Sequence, residues 1–488
     1  MKKYLLVFIT LIIAGCENFL NVEPREEISI TEQFSTLEGV KQALNGAYYK
    51  TEIILSDKFF LYADILGGNI TFAPTRTGSR QGEVNKLLNF GNIYDFNDLA
   101  LFSQFLGFYE SSYTIINNVN NIIFYIDNLS EGTPEQKQQI KSEALAIKAF
   151  VHFNLLQIYS QTFNFSSNGS HLGIVYADKI LTGGVDFPAR KSCAESYDLI
   201  IRDLQESLAL MTANQSLQGP KYSFFNPIST KALLAKVALQ KNDWNLALST
   251  ANDVLNSSNV TLMSNLNYLS EWSKPLLPVS EILLEFSAPL TPEGSMVSSS
   301  VSKDFKIIFN SSGAILDYGL CVASRDLLNL YDNNDVRKAN FIVAAIPTKT
   351  NGVLTPIDYY FTKKHQDLPG TISIRLSEMY LIIAEANARL NKPTEALTAL
   401  NIIKNRAGIA SLNNSNNLLD EIFLERRREL CFEGSLFFDC ARFNKSVSRN
   451  LGCISLLCNL NYPNNRFVLP IPQQTLSVNQ NLIQNEGY

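Results

Sequence analysis

Histidine is scarce in this 488-residue chain, with three in all, and no His-Glu-x-x-His, Gly-x-Ser-x-Gly or phosphate-loop pattern occurs. That closes the most readable routes to metal-assisted hydrolysis, serine catalysis and nucleotide chemistry. No CxxC or Cys/His ligand spacing is present, which argues against a structural zinc. Past residue 14 no apolar run approaches the roughly 20 residues needed to cross a bilayer as a helix. Positive charge is also in deficit. Lys and Arg number 41 against 46 Asp and Glu, a net charge of −5, so a nucleic-acid partner is not expected. Hydrophobic residues are not lacking: at 46% of the chain, with 11% aromatic, they suffice for a large buried core.

The N-terminus carries the most compact signal. Lys2 and Lys3 precede an apolar run from Tyr4 to Ala14, which ends at Ile13-Ala14-Gly15-Cys16. The run is too short to span a membrane and has the layout of an export signal. Ile-Ala-Gly-Cys resembles the lipobox of bacterial lipoproteins, in which the cysteine thiol takes a diacylglycerol and its freed amine a further acyl chain. Residues 1–15 are therefore expected to be a lipoprotein signal peptide and Cys16 a lipid anchor, with two or more chains holding the rest at a membrane surface. Without residues 1–15 the chain has 39 basic and 46 acidic residues. With Cys16 lipidated, six cysteines remain. Cys453 and Cys458, separated by Ile-Ser-Leu-Leu, are the one pair whose nearness in sequence makes a disulfide easy to form; the alternative is free, buried thiols.

Periodicity sets the architecture. Residues 227–258 read as a helical hairpin broken at Asn242-Asp243-Trp244, and residues 376–407 repeat the arrangement around Asn391-Lys392-Pro393. In each, two alanines stand twelve apart across the turn, Ala235 with Ala247 and Ala384 with Ala396, which lets antiparallel helices approach closely as in tetratricopeptide repeats. Two more pairs are interrupted by insertions: 135–160 with 194–211, and 36–55 with 104–129. The expected fold is mainly α, a solenoid of about four such pairs (near 36–129, 135–211, 227–258 and 376–407) in one domain, 16–488. The stretches 56–103, 161–192 and 259–372 are expected to form a loop-rich layer on that scaffold.

Further motifs run the length of the chain. Phe19-Leu20-Asn21-Val22-Glu23-Pro24 follows the lipobox, and Arg375-Leu376-Ser377-Glu378-Met379-Tyr380-Leu381-Ile382-Ile383-Ala384-Glu385-Ala386 precedes Asn405-Arg406-Ala407-Gly408. Glu425-Arg426-Arg427-Arg428-Glu429-Leu430-Cys431-Phe432-Glu433-Gly434 is followed by Asp439 to Arg442, then Leu469-Pro470-Ile471-Pro472 and the ending Asn481 to Tyr488. Together these resemble the SusD/RagB family of outer-membrane nutrient-capturing lipoproteins of Bacteroidetes. Gln480 and Glu486 stand where the family pattern has prolines, a departure expected to loosen the tail. The resemblance implies an outer-membrane, outward-facing, lipid-anchored protein without cofactor or catalytic residues. It also implies a lid over a SusC-like TonB-dependent barrel transporter, to which the protein delivers an oligosaccharide or another nutrient.

A sugar presents apolar C–H faces and polar rims, so its site needs aromatic rings and hydrogen-bonding side chains. The 56–103 insertion supplies Phe59, Phe60, Tyr62, Asp64, Asn69, Phe72, Arg76, Arg80, Tyr94 and Phe96, and the matching region contributes to the ligand face in the family. The competing reading for each ring is core packing. Trp272 is a weaker candidate, expected to pack. Two other readings belong to different classes: a surface tetratricopeptide scaffold for proteins or peptides, and a cryptic glycosidase using a carboxylate pair such as Asp332 and Asp335. The Glu-Arg block invites a catalytic assignment too. Interleaved charges of opposite sign are more simply read as an ion-pair network, with Glu425 meeting Arg428 and Arg426 meeting Glu429 three residues on. His152 falls within a helical apolar pattern, as a satisfied core histidine would, whereas His171 and His365 stand alone in loops.

Overall fold

The computed structural model describes residues 29–488 apart from 213, 296, 298 and 299. The expected signal peptide 1–15, Cys16 and the segment Phe19 to Pro24 therefore lie outside the described residues. No helix among those described is long and apolar enough to cross a membrane.

The protein is mainly α, built on a stack of tetratricopeptide-like helix pairs. In chain order the main helices are α1 (Leu37–Ile54), α2 (Phe60–Gly67), α3 (Leu106–Ile126), α4 (Pro134–Tyr159), α5 (Cys193–Leu210), α6 (Pro227–Gln240), α7 (Trp244–Ser257), α8 (Leu376–Arg389), α9 (Pro393–Arg406), α10 (Leu418–Glu429), α11 (Leu436–Arg442) and α12 (Gln473–Val478). The stack runs α1, α3, α4, α5, α6, α7, α8, α9, each packed on the next, and α10 closes it against α8 and α9. Local chemistry explains where these helices begin. Thr133 with Gln136, Ser192 with Glu195, and Asn226 with Ser229 form capping boxes, and Pro134, Pro227 and Pro393 occupy first-turn positions where a missing N–H costs nothing.

The two uninterrupted hairpins turn by the same device. Asn242 (φ 65°) and Asn391 (φ 58°) adopt left-handed backbone just past the helix end. Asp243 N–H then donates to the Ala238 carbonyl at 2.9 Å and Lys392 N–H to the Asn387 carbonyl at 2.8 Å, satisfying carbonyls the helix leaves open. Ala235, Ala247, Ala384 and Ala396 are fully buried, so the pairs meet over small side chains.

The segments between the pairs are not all loop. Helix α1 runs through one π-helical turn, Leu55–Phe59, into α2, every residue of which is buried. The insertion expected at 56–103 thus starts as a core helix. It then forms β1 (Ile70–Phe72), paired antiparallel with β5 (Cys321–Ala323). Four further two-stranded antiparallel ladders complete the layer: β2 (Ile282–Phe286) with β8 (Thr371–Arg375), β3 (Ile307–Phe309) with β4 (Ile315–Tyr318), β6 (Phe341–Thr350) with β7 (Val353–Thr362), and β9 (Val447–Ser448) with β10 (Asn459–Leu460). The β6–β7 hairpin closes on Asn351-Gly352, both at positive φ (52° and 83°), the two-residue turn whose twist suits paired strands. The C-terminal tail is pinned rather than loose. Asn485 Nδ2 donates to the carbonyls of Tyr159 and Leu469, and Tyr488 OH donates to that of Val468 at 2.7 Å.

Candidate functional site

Most of the aromatic and polar residues singled out at 56–103 lie inside the protein. Tyr62, Asp64, Asn69, Phe72, Tyr94 and Phe96 are each at most 6% exposed and present no face to a ligand. The cause is α2, which packs directly on α11. The Tyr62 ring is enclosed by Phe105, Phe437 and Phe438. Asp64 accepts from Asn69 Nδ2 at 2.6 Å and from Gly434 N–H at 2.7 Å, and burial lifts its carboxyl to about 6. That second bond requires Gly434 at φ 72°, where a Cβ would also press on the Phe60 carbonyl. Asn69 accepts from Arg427 at 2.9 Å, Phe72 meets Tyr94, and the Arg449 guanidinium lies over both Tyr94 and Phe96. Phe60 is buried against His365. Phe59 is half-buried between Phe108 and Phe438. Of the candidates, Arg76 and Arg80 alone are exposed, and both are engaged: Arg76 with Asp317 at 2.9 Å, Arg80 with Glu83 at 3.3 Å. Cys453 and Cys458 are joined by a disulfide, Cα atoms 5.9 Å apart, while Cys193, Cys321, Cys431 and Cys440 are buried thiols.

The Glu-Arg block forms a buried ionic lattice. Glu429 is met by Arg337 at 2.9 Å, Arg406 at 2.5 Å and Arg375 at 3.3 Å, each reaching it from a different segment. Arg337 also binds Asp335 and Glu425; Arg375 also binds Glu281 and Glu433. Lys364 donates to Glu433 at 2.6 Å. These cations hold Glu433 at about 2 and Glu429 well below the usual carboxylate range, although burial alone would raise both. Arg428 pairs with Glu425 at 2.7 Å, but the expected Arg426–Glu429 pair does not form. Arg426 turns instead to Asp439 at 2.9 Å, which is shared with Arg442, itself paired with Glu385. Three arginines already saturate Glu429, so proximity along the helix loses to convergence in space.

The remaining polar candidates are likewise engaged in structure. Asp335 is buried in the lattice, and Asp332 lies exposed in the preceding turn, so the two do not share a cleft. His152 bonds the Lys148 carbonyl at 2.9 Å through Nδ1 and accepts from Ala177 N–H at 3.1 Å; burial lowers it to about 3, which keeps the ring neutral. His365 is buried and bonded to the Phe432 carbonyl, with burial lowering it to about 4. His171 bridges Ser166 and the Gln161 carbonyl. Trp272 is 6% exposed beneath Lys364 and Arg375.

An open cleft lies elsewhere, between α3, the segment 175–188 and α12, with a volume of about 430 Å³. That is within the range of small-molecule sites. Glu110, Thr114 and Asn118 line it at i, i+4 spacing, about 6 Å apart along the helix axis. Tyr109, Tyr113 and Asn117 line the same face. Two of these brace the opposite wall: Tyr113 OH donates to the Val175 carbonyl at 3.0 Å, and Asn117 exchanges hydrogen bonds with the Leu181 backbone. Asn479 ties the third wall to Pro188. The 3-10 turn Ala100–Phe102 packs on α12 beside the cleft and leaves Phe102 70% exposed. Here are the elements a sugar requires, placed just after the expected insertion instead of within it. The signal available in the sequence was the four-residue spacing of the polar residues 110, 114 and 118 along one face of α3.

The chain is similar to known proteins throughout. Residues 357–488 match the SusD family, and residues 18–239 match a family described as starch-binding and associating with the outer membrane. SusD-like protein P38 of Formosa agariphila is 22% identical over the full length of both chains. The crystal structure of a putative sugar binding protein from Bacteroides vulgatus superposes with a TM-score of 0.77 at 25% identity, over 93% of this chain and 99% of that one. Surface glycan-binding protein A from Bacteroides thetaiotaomicron, solved with laminarihexaose, shares the fold with a TM-score of 0.70 at 16% identity, over 92% of this chain and 99% of its own.

Proposed function

Because the chain belongs to the SusD/RagB family, we propose that it is a cell-surface lipoprotein that binds an oligosaccharide nutrient and passes it to a TonB-dependent barrel transporter in the outer membrane. The observation that carries the binding role is the open cleft of about 430 Å³, where the Glu110 carboxylate and the Asn118 amide have no partner among the described residues, with the exposed Phe102 on the 3-10 turn that packs on α12. Oriented hydroxyl partners beside an apolar ring match the two faces of a sugar. A binding role without catalysis is favoured by the fate of the acidic block: Glu425, Glu429, Glu433 and Asp439 are committed to arginine or lysine, and a general acid needs a proton to give. The anchor at Cys16 and the barrel partner rest on the sequence motif and on family membership.

The partnership is tested by tagging the protein at its C-terminus, extracting native outer membranes in mild detergent and identifying what co-purifies. A large barrel in near-equal amount is the expected result. Recovery of the lipidated protein alone would count against transporter coupling and for an independent surface binder or scaffold.

A further inference from the structure

The charge lining the α3 cleft constrains its ligand further. Its wall carries two carboxylates, Glu110 and Asp186, and no Lys, Arg or His among the described residues. Two neighbouring cations are already engaged. Lys179 Nζ donates to Asp186 Oδ1 at 2.9 Å, and the other Asp186 oxygen accepts from Thr182 N–H at 2.8 Å. Arg190 lies buried behind the floor, giving its N–H groups to the carbonyls of Gly173, Tyr159 and Ile483 at 2.7, 2.8 and 3.0 Å. The cleft therefore offers a guest the Glu110 carboxylate, the Asn118 amide and the acceptor face of the Thr114 hydroxyl, whose proton goes to the Glu110 carbonyl at 2.9 Å; Phe102 is an apolar edge outside the lining, on the turn packed against α12.

Recognition of a sulfate or a uronate takes charge-assisted donors, most effectively a forked guanidinium. None faces this space, and an anion placed here would shed water next to carboxylates, at a cost. A neutral sugar reverses the sign, because its hydroxyls donate, and an ionised carboxylate is the strongest acceptor available to them. We propose that the α3 cleft takes an uncharged oligosaccharide, held by Glu110, Thr114 and Asn118 with a sugar face on Phe102, and turns away sulfated and uronic-acid glycans. This deepens the carbohydrate-binding reading and rests on it.

The test uses the full-length protein in detergent and isothermal titration with two sets of probes. One set is neutral: laminarihexaose, maltohexaose, xylohexaose and mannohexaose. The other is anionic: a chondroitin sulfate hexasaccharide and hexagalacturonate. Three surface variants, Asn118→Ala, Phe102→Ala and Glu110→Lys, are melted alongside to verify folding. Binding of at least one neutral probe, weakened tenfold or more by Asn118→Ala and by Glu110→Lys, with no binding of the anionic set, is the expected result. Anionic probes bound in a way that Asn118→Ala weakens would overturn the charge selectivity and leave the carbohydrate reading intact. Neutral binding untouched by all three variants would place the site elsewhere and overturn the inference. Failure of every probe to bind would count against the carbohydrate reading itself.

Discussion

The buried lattice around Glu429 and the cleft along α3 are both rich in polar side chains, yet their groups are used in opposite ways. In the lattice, full charges sit at 0–8% exposure, and their carboxylates face arginine or lysine. In the cleft, uncharged or singly acidic groups face water at helical spacing with partners left over. A charge taken out of water must be paired, so the lattice can only hold segments together; a group left open can exchange water for a ligand. Density of charge in the sequence marks the scaffold here, and a sparser polar stripe marks the proposed site.

The sharpest way to break that contrast is Glu429→Ala. Removing one acid takes a buried carboxylate partner from three arginines at once and leaves Arg406 without its short ion pair, with an expected loss of about 3–5 kcal/mol that chemical denaturation should register. A change below 1 kcal/mol would mean the lattice is not holding the fold.

The second effect is a pH profile with two arms. Glu433 sits at about 2, below its ordinary 4.5, so its contribution is present above pH 4.5 and is lost as pH falls toward 2. Glu52 and Glu285 behave in the reverse sense. Both are buried with one oxygen unpartnered, and desolvation lifts each to about 7. The folded protein then holds protons that the unfolded chain releases, and stability declines as pH rises from 4.5 through 7, by about 3 kcal/mol for each group. Denaturation measured from pH 3 to 8 should peak near 4.5–5, and Glu52→Gln with Glu285→Gln should flatten the upper arm. A wild-type curve still climbing between pH 5 and 7 would refute the assignment.

Smaller still is Tyr62→Phe. The Tyr62 hydroxyl is buried without a hydrogen-bond partner, so its removal should raise stability by up to about 1 kcal/mol and leave glycan affinity unchanged. A loss of affinity would return Tyr62 to the binding site. Asn118→Ala should be the least disturbing to the fold, within about 0.5 kcal/mol in a melting experiment, although it removes a cleft contact. A large drop in melting temperature would make Asn118 a structural residue.

Part of this was readable from the chain. The 3.6-residue period marks the hairpins 227–258 and 376–407, and the structure has helices Pro227–Gln240, Trp244–Ser257, Leu376–Arg389 and Pro393–Arg406 there. Period and capping residues act within a few positions of one another, so sequence displays them directly. The aromatic-rich stretch 56–103 was different. Tyr62, Phe72 and Tyr94 have the composition of a stacking platform and the location of a core, and composition is identical in the two cases until α2 is seen against α11.

The sequence by itself determined the helical pairs, the family motifs and the structural character of the Glu-Arg block, because each depends on local spacing or on charges that must be compensated wherever they are buried. Tertiary structure decided which arginines reach Glu429, which rings are interior, and that Glu110, Thr114 and Asn118 face open space. Those outcomes depend on segments tens to hundreds of residues apart, such as Arg337 and Arg375 converging on Glu429, or the 175–188 wall closing on α3, and no local pattern encodes which distant surface arrives first.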